Sequence, residues 1–128
     1  MESVQNAISW FEIPVTDFSR AKKFFEAILN IEMPEMDIGD LKMAIFQSDS
    51  ENGGVGGAIC LGEGYEPSGN KGPKAYLNGG DDLTTVLNRV ENAGGTVVLP
   101  KTMIAPDMGY WAFFQDTEGN VLGLYSMN

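Results

Sequence analysis

WFEIPVTDFSRAKKFFEAILNIEMP (residues 10–34) and AYLNGGDDLTTVLNRVENAGGTVVLP (residues 75–100) are two versions of one pattern, with Trp10 opposite Ala75 and Asp17 opposite Asp82. In the first, Phe11, Ile13 and Val15 alternate with Trp10, Glu12 and Pro14, the period of a half-buried strand. Thr16 or Asp17 can then cap a helix whose Phe18, Ala21, Phe25, Ile28 and Leu29 form an apolar stripe, with Lys22, Lys23 and Glu26 off it. In the second, Asp81 or Asp82 is the cap and Leu83, Val86, Leu87 and Val90 the stripe. Gly94-Gly95 closes that helix, because glycine takes the left-handed conformation after a helix cheaply.

Working outward, MAIFQ (43–47) parallels WAFFQ (111–115), and GGAIC (56–60) parallels GNVLG (119–123), at offsets between 63 and 68 residues. An internal repeat of this length is one supersecondary unit written twice. Each half reads strand, helix, strand, strand, strand, with strands expected at about 8–15, 41–47 and 55–61, then 96–99, 110–115 and 120–126. The Gly/Asn/Ser-rich stretches 48–57 and 62–73 read as mobile loops. The expected organisation is one α+β domain over 1–128, with module one at about 7–62 and module two at about 74–127.

The 128 residues are 43% apolar and 20% charged, which supports a packed core and argues against disorder. Eighteen acidic against eight basic residues give a net charge of −10. That excludes a phosphate backbone or an anionic membrane surface as natural partners. It would attract a cationic ligand at long range, or simply keep the protein soluble. MESVQNAISW has no basic and apolar leader pattern, and the one cysteine, Cys60, fits a reducing compartment, so a cytoplasmic location is expected. The chain has no histidine. This removes the commonest neutral metal ligand and the commonest general base together. A nucleophile elbow, a P-loop and a Cys-His or Ser-His-Asp set are also missing, and the glycine pairs at 53–57 lack the strand-to-helix context of a phosphate cradle.

FEIPVTDFSRAKKFFEAIL resembles the opening strand and helix of the glyoxalase/bleomycin-resistance/dioxygenase (vicinal oxygen chelate) superfamily. GYWAFFQDTEGNVLGLY resembles its closing hairpin, with Thr117 where an Asp-Pro-x-Gly-Asn turn usually has proline. The resemblance covers nearly all of 7–127 and implies two βαβββ modules forming a cupped, mainly antiparallel sheet with helices on the outer face. Ligands would bind inside the cup, and chains of this length are commonly homodimers. Trp10, Glu12, Met43, Ile45, Gln47, Leu77, Trp111, Phe113, Gln115 and Tyr125 are expected to face inward and line the ligand site.

Metal-dependent members hold a divalent ion through His, Gln or Glu from the first and last strands of each module. Carried over, those positions fall on Trp10, near Cys60, on Ala75 and on Gly123, so no standard metal site and no cofactor is expected. Glu12 is the only titratable group placed in the cup and is the candidate acid or base. Three readings stay open. The first is a metal-free protein binding a cationic or aromatic small molecule. The second is a lyase or isomerase of the lactoylglutathione lyase type, working through Glu12 or an atypical metal site. The third is an interaction module with a vestigial cup.

Overall fold

The computed structural model describes residues 4–128; Met1–Ser3, which the single-domain expectation includes, lie outside the described residues. Module one runs β1 (Phe11–Pro14), α1 (Phe18–Leu29), β2 (Glu35–Ile38), β3 (Leu41–Phe46) and β4 (Gly57–Leu61). Module two repeats it as β5 (Tyr76–Asn78), α2 (Thr84–Val90), β6 (Thr96–Met103), β7 (Tyr110–Gln115) and β8 (Val121–Ser126). The strands form two four-stranded sheets, ordered β1-β4-β3-β2 and β5-β8-β7-β6. Each has one parallel pair, β1/β4 or β5/β8, and is otherwise antiparallel. The fold is the α+β arrangement of two βαβββ modules that the sequence predicts. Among the described residues no helix is long and apolar enough to cross a membrane.

Local chemistry accounts for the elements. Asp17 accepts the Arg20 N–H at 3.1 Å and starts α1, while Asn30, at φ 54°, ends it in the left-handed conformation. In the repeat the N-cap of α2 is Leu83, without a side-chain cap, and not the expected Asp81 or Asp82. Asp82, one residue earlier, accepts the Thr84 N–H at 2.9 Å, and Gly94, at φ 105°, turns the chain beyond α2. Two strands differ from expectation. Strand β2, absent from the expected strands, is an edge: Glu35, Met36, Asp37 and Ile38 alternate polar and apolar, but all four are exposed. Strand β6 runs to Met103 with register shifts after Val97 and Leu99, and its Pro100 is tolerated because β6 is also an edge.

One core serves both modules. Ile13, Val15, Phe25, Ile28 and Ile59 of the first share it with Leu77, Leu83, Val90, Phe114 and Leu124 of the second. Phe24, on the same helix, reaches across to Phe114 at 6.0 Å between ring centroids and meets Phe25 edge-on at 5.1 Å. Phe25 in turn meets Phe46 at 5.3 Å. This chain of rings runs from β3 through α1 to β7, and edge-on pairs add about 0.5–1.5 kcal/mol each to their burial.

A polar clamp fixes the junction from the other side. The Glu118 side chain, which has no solvent exposure, accepts the Thr16 and Asp17 N–H groups at 2.9 and 2.7 Å and the Arg20 Nε–H at 2.7 Å. The Thr16 and Thr117 hydroxyls donate to it as well. Asn120 Nδ2 donates to the Pro14 carbonyl at 2.8 Å, and Asp116 holds the turn by accepting the Glu118 and Asn120 N–H groups.

Burial raises the Glu118 pKa, but donation from Arg20, Asp17, Thr16 and Thr117 outweighs it and holds the group at about 2. Because the folded value lies below the ordinary 4.5, this stabilisation is complete above pH 4.5 and is lost as pH falls towards 2. Asp116, raised by its burial, works in the opposite sense. Urea unfolding as a function of pH should therefore show a loss of stability between about pH 4.5 and 2 that is largely missing in Glu118→Gln. Glu118→Ala should cost about 3 kcal/mol at pH 7, having removed a buried, multiply bonded charge.

Candidate functional site

The sheet faces opposite the helices carry the candidate site, and the two modules present very different surfaces there. On module one, Met43, Ala58 and Cys60 are buried in a small cluster of their own, with Leu41, Ile45 and Tyr65 packed against it. Tyr65 comes from the connection between modules, and its hydroxyl donates to Glu12 Oε1 at 2.7 Å. Trp10 Nε1 donates to Glu12 Oε2 at 3.2 Å. Both Glu12 oxygens are thus engaged by ring donors, and the carboxylate fastens the connecting loop over this half. The hydrogen bond to Glu12, then burial and the Glu12 charge, push the Tyr65 phenol up to about 12, so it remains a donor at neutral pH.

On module two the corresponding face is aromatic and open. Tyr76 stacks near Trp111 with centroids 6.2 Å apart and 21° between planes, and meets Phe113 at 5.9 Å. Trp111 and Phe113 lie 5.6 Å apart. Tyr125, cross-strand from Trp111, is 38% exposed and donates its hydroxyl to the Met108 carbonyl at 2.9 Å. The Tyr76 ring rests on the backbone of Gly123, where a Cβ would come within 2.4 Å of it. Lys74 Nζ sits 4.5 Å from the Phe113 centroid and donates to Asn70 Oδ1. The ammonium thus already occupies the negative face of one ring.

Of the residues expected to line the site, Trp10 and Glu12, Met43 and Ile45, and Trp111, Phe113 and Tyr125 lie on these surfaces. Gln115, cross-strand from Val121 at the end of β7, is exposed. Two expectations need correction. Leu77 is 6% exposed and belongs to the shared helix-side core, while its neighbour Tyr76 takes the open face. Gln47 lies beyond β3 and lines a cleft at the module junction instead of the cluster around Met43.

The Leu77 error has a definite origin. In the sheets, Glu12 pairs with Ala58 and Ala58 with Ile45, while Tyr76 pairs with Gly123 and Gly123 with Phe113. Glu12 is therefore the mate of Tyr76 and Trp10 of Lys74, one residue off an alignment pinned on Asp17 and Asp82. The extra residue sits in the Gly79-Gly80 turn, and a one-residue slip flips a whole strand. Lys74 and Tyr76 escape sequence reasoning for that reason, and Tyr65 because it lies in a loop.

The same register moves two of the four slots that the resemblance implies for a metal. Trp10 and Gly123 stay, Ala75 gives way to Lys74, the mate of Trp10, and the slot near Cys60 to Ala58, the mate of Gly123. Indole, methyl, ammonium and hydrogen are no donor set for a divalent cation. Among the described residues, no three His, Cys, Asp or Glu side chains gather into a group able to hold one. Cys60 stands two residues from Ala58 and is fully buried. Burial, followed by the adjacent Glu12 carboxylate, pushes its thiol up to about 12. An aromatic disulfide reagent at pH 8 should consequently leave Cys60 unmodified in the folded protein and titrate one thiol after denaturation. Rapid reaction without unfolding would show that the Tyr65 cover is not in place.

Comparison with known proteins agrees with this geometry. The model of the Glyoxalase/Bleomycin resistance protein/Dioxygenase superfamily matches residues 7–124, and the chain belongs to that superfamily. A glyoxylase-like domain-containing protein of Didymella fabae is 29% identical over 113 residues, covering 88% of each chain. TnmS3, an antibiotic binding protein from Streptomyces sp. CB03234, shares the fold at a TM-score of 0.68 and 21% identity, over 99% of this chain and 100% of that one. A glyoxalase I mutant from Zea mays superposes at a TM-score of 0.66 and 17% identity over 92% of this chain. The chain spans just under half of that maize protein, 45%.

Proposed function

We propose that the protein binds a planar organic molecule on the module-two face, without the divalent metal of its metal-dependent relatives. The observation that carries this reading is the open set of Tyr76, Trp111, Phe113 and Tyr125, with Tyr76 laid on Gly123. Tyr76 and Tyr125 are exposed and Trp111 and Phe113 half-buried, and a contiguous aromatic surface of this kind marks binding sites. The described role of the Streptomyces relative, antibiotic binding, is consistent with it. The acid excess alone favours a cation, but Lys74 over the Phe113 ring sets the local sign the other way. A neutral or anionic planar ligand fits better than a cationic one, because a second cation over Phe113 would meet the ammonium already there. Glu12 enters as the fastening of Tyr65, not as a base.

Titration with planar aromatic carboxylates and neutral polycyclic amides is expected to quench tryptophan emission saturably. A Trp10→Phe variant makes Trp111 the sole reporter. Trp111→Ala should weaken binding by about tenfold or more, since it takes away the largest ring available for stacking. If a broad panel of such compounds leaves the emission unchanged, the reading fails.

We also take the protein to be a cytoplasmic homodimer of one glyoxalase-like domain. The exposed apolar side chains Met36 and Ile38 on the edge strand β2 favour self-association. Light scattering at micromolar concentration should return twice the chain mass, and a monomer mass would remove the dimer.

A further inference from the structure

The repeat gives the molecule two equivalent junctions between modules, and only one is closed. At the first, the free edge of β1 meets the turn before β8, where Glu118 and Asn120 reach Asp17 and Pro14. The equivalent connection in module one, between β3 and β4, is three residues longer by register, and the mate of Pro14 is Asn78. Among the described residues no side chain of that connection hydrogen-bonds to β5 to repeat the clamp; its Asn52 donates to Asp49 Oδ2 within the loop. In place of the clamp is a cleft of about 540 Å³, lined by Ile8, Phe11, Phe46, Val55 and Leu77, with Lys74 the one charged residue among the described residues that line it.

The wall of this cleft includes the open edge of β5. Gly123 N–H donates to the Ala75 carbonyl and Gly79 N–H to the Tyr125 carbonyl, so Ala75 and Gly79 point their main-chain groups at β8. In a parallel ladder the intervening residues point theirs the other way. Tyr76 and Asn78 therefore aim N–H and C=O groups away from β8, and β5 is the last strand of its sheet. Tyr76 also belongs to the aromatic set on the open face, which makes cleft and platform continuous at one residue.

We infer that the site takes a two-part ligand, a planar head on the platform and an amide-bearing, peptide-like arm along β5, hydrogen-bonded to the Tyr76 and Asn78 main chain. This deepens the platform reading and rests on it. The apolar walls suit the flanks of such an arm, and main-chain pairing supplies the contacts that a purely hydrocarbon arm would forfeit.

Three neutral probes test it by calorimetry: 2-naphthamide, N-(2-naphthoyl)triglycinamide and its N-methylated trisarcosinamide analogue. The triglycinamide should bind about tenfold more tightly than 2-naphthamide, as two added hydrogen bonds predict, and the trisarcosinamide should lose that gain. The Tyr76 and Asn78 amide proton resonances should shift with the triglycinamide and not with 2-naphthamide. Equal affinities for all three probes, or unmoved Tyr76 and Asn78 amides, overturn the arm while leaving the platform intact. Absence of binding by every probe removes the platform reading and the arm with it.

Discussion

The arrangement depends on one buried carboxylate. Glu118 lies in a turn of module two, yet its donors are mostly on module one: two backbone N–H groups, a hydroxyl and the Arg20 guanidinium. A buried carboxylate without partners would cost several kcal/mol, so its low pKa shows that the donors more than offset the desolvation. The constraint is directional as well as energetic. Donors at the N-terminal end of α1 and acceptors in the β7–β8 turn can meet in few relative orientations of the modules. Phe24 then lies over Phe114, and the aliphatic core closes behind them.

Much of this was legible in the sequence because it obeys strong local rules. Asp17, the Phe18-Ala21-Phe25-Ile28 stripe and the Gly94-Gly95 stop each have a physical reason that survives into the structure. What escaped lacks such a rule. Strand β2 alternates Glu35, Met36, Asp37 and Ile38, but over only four residues between Pro34 and Gly39, too short a run to stand out, and neither face is buried. Glu118 sits at a variable position of a turn motif, and only its three-dimensional neighbours make it structural. The site was legible strand by strand wherever the register was right. On β5, anchoring the repeat on helix caps carried a one-residue error across Gly79-Gly80, and it exchanged Leu77 for Tyr76.

The two halves have diverged in a complementary way. Met43, Ile45, Ala58 and Cys60 correspond to Trp111, Phe113, Gly123 and Tyr125. Aliphatic side chains and a thiol gain little from standing in water, and on module one the connecting loop covers them with Tyr65. The rings of module two keep polar handles and face-to-edge partners that make partial exposure tolerable. A symmetric fold thus yields one filled half and one open half, the open half being free for a ligand.

Gly123 gives the strongest argument that the open half is built, not merely exposed. A glycine inside a strand weakens it, since it contributes no side chain to packing and costs more backbone entropy. Here that loss coincides with a ring lying where any Cβ would collide, so the glycine and Tyr76 have to be understood together. In metal-dependent relatives this strand position is expected to supply a carboxylate. With only hydrogen on its Cα, Gly123 offers no side-chain ligand atom and leaves room for the ring. The bare Cα of Gly123 and the ring of Tyr76 therefore form one feature, and its contacts are of dispersion and quadrupole type, not charge and coordination.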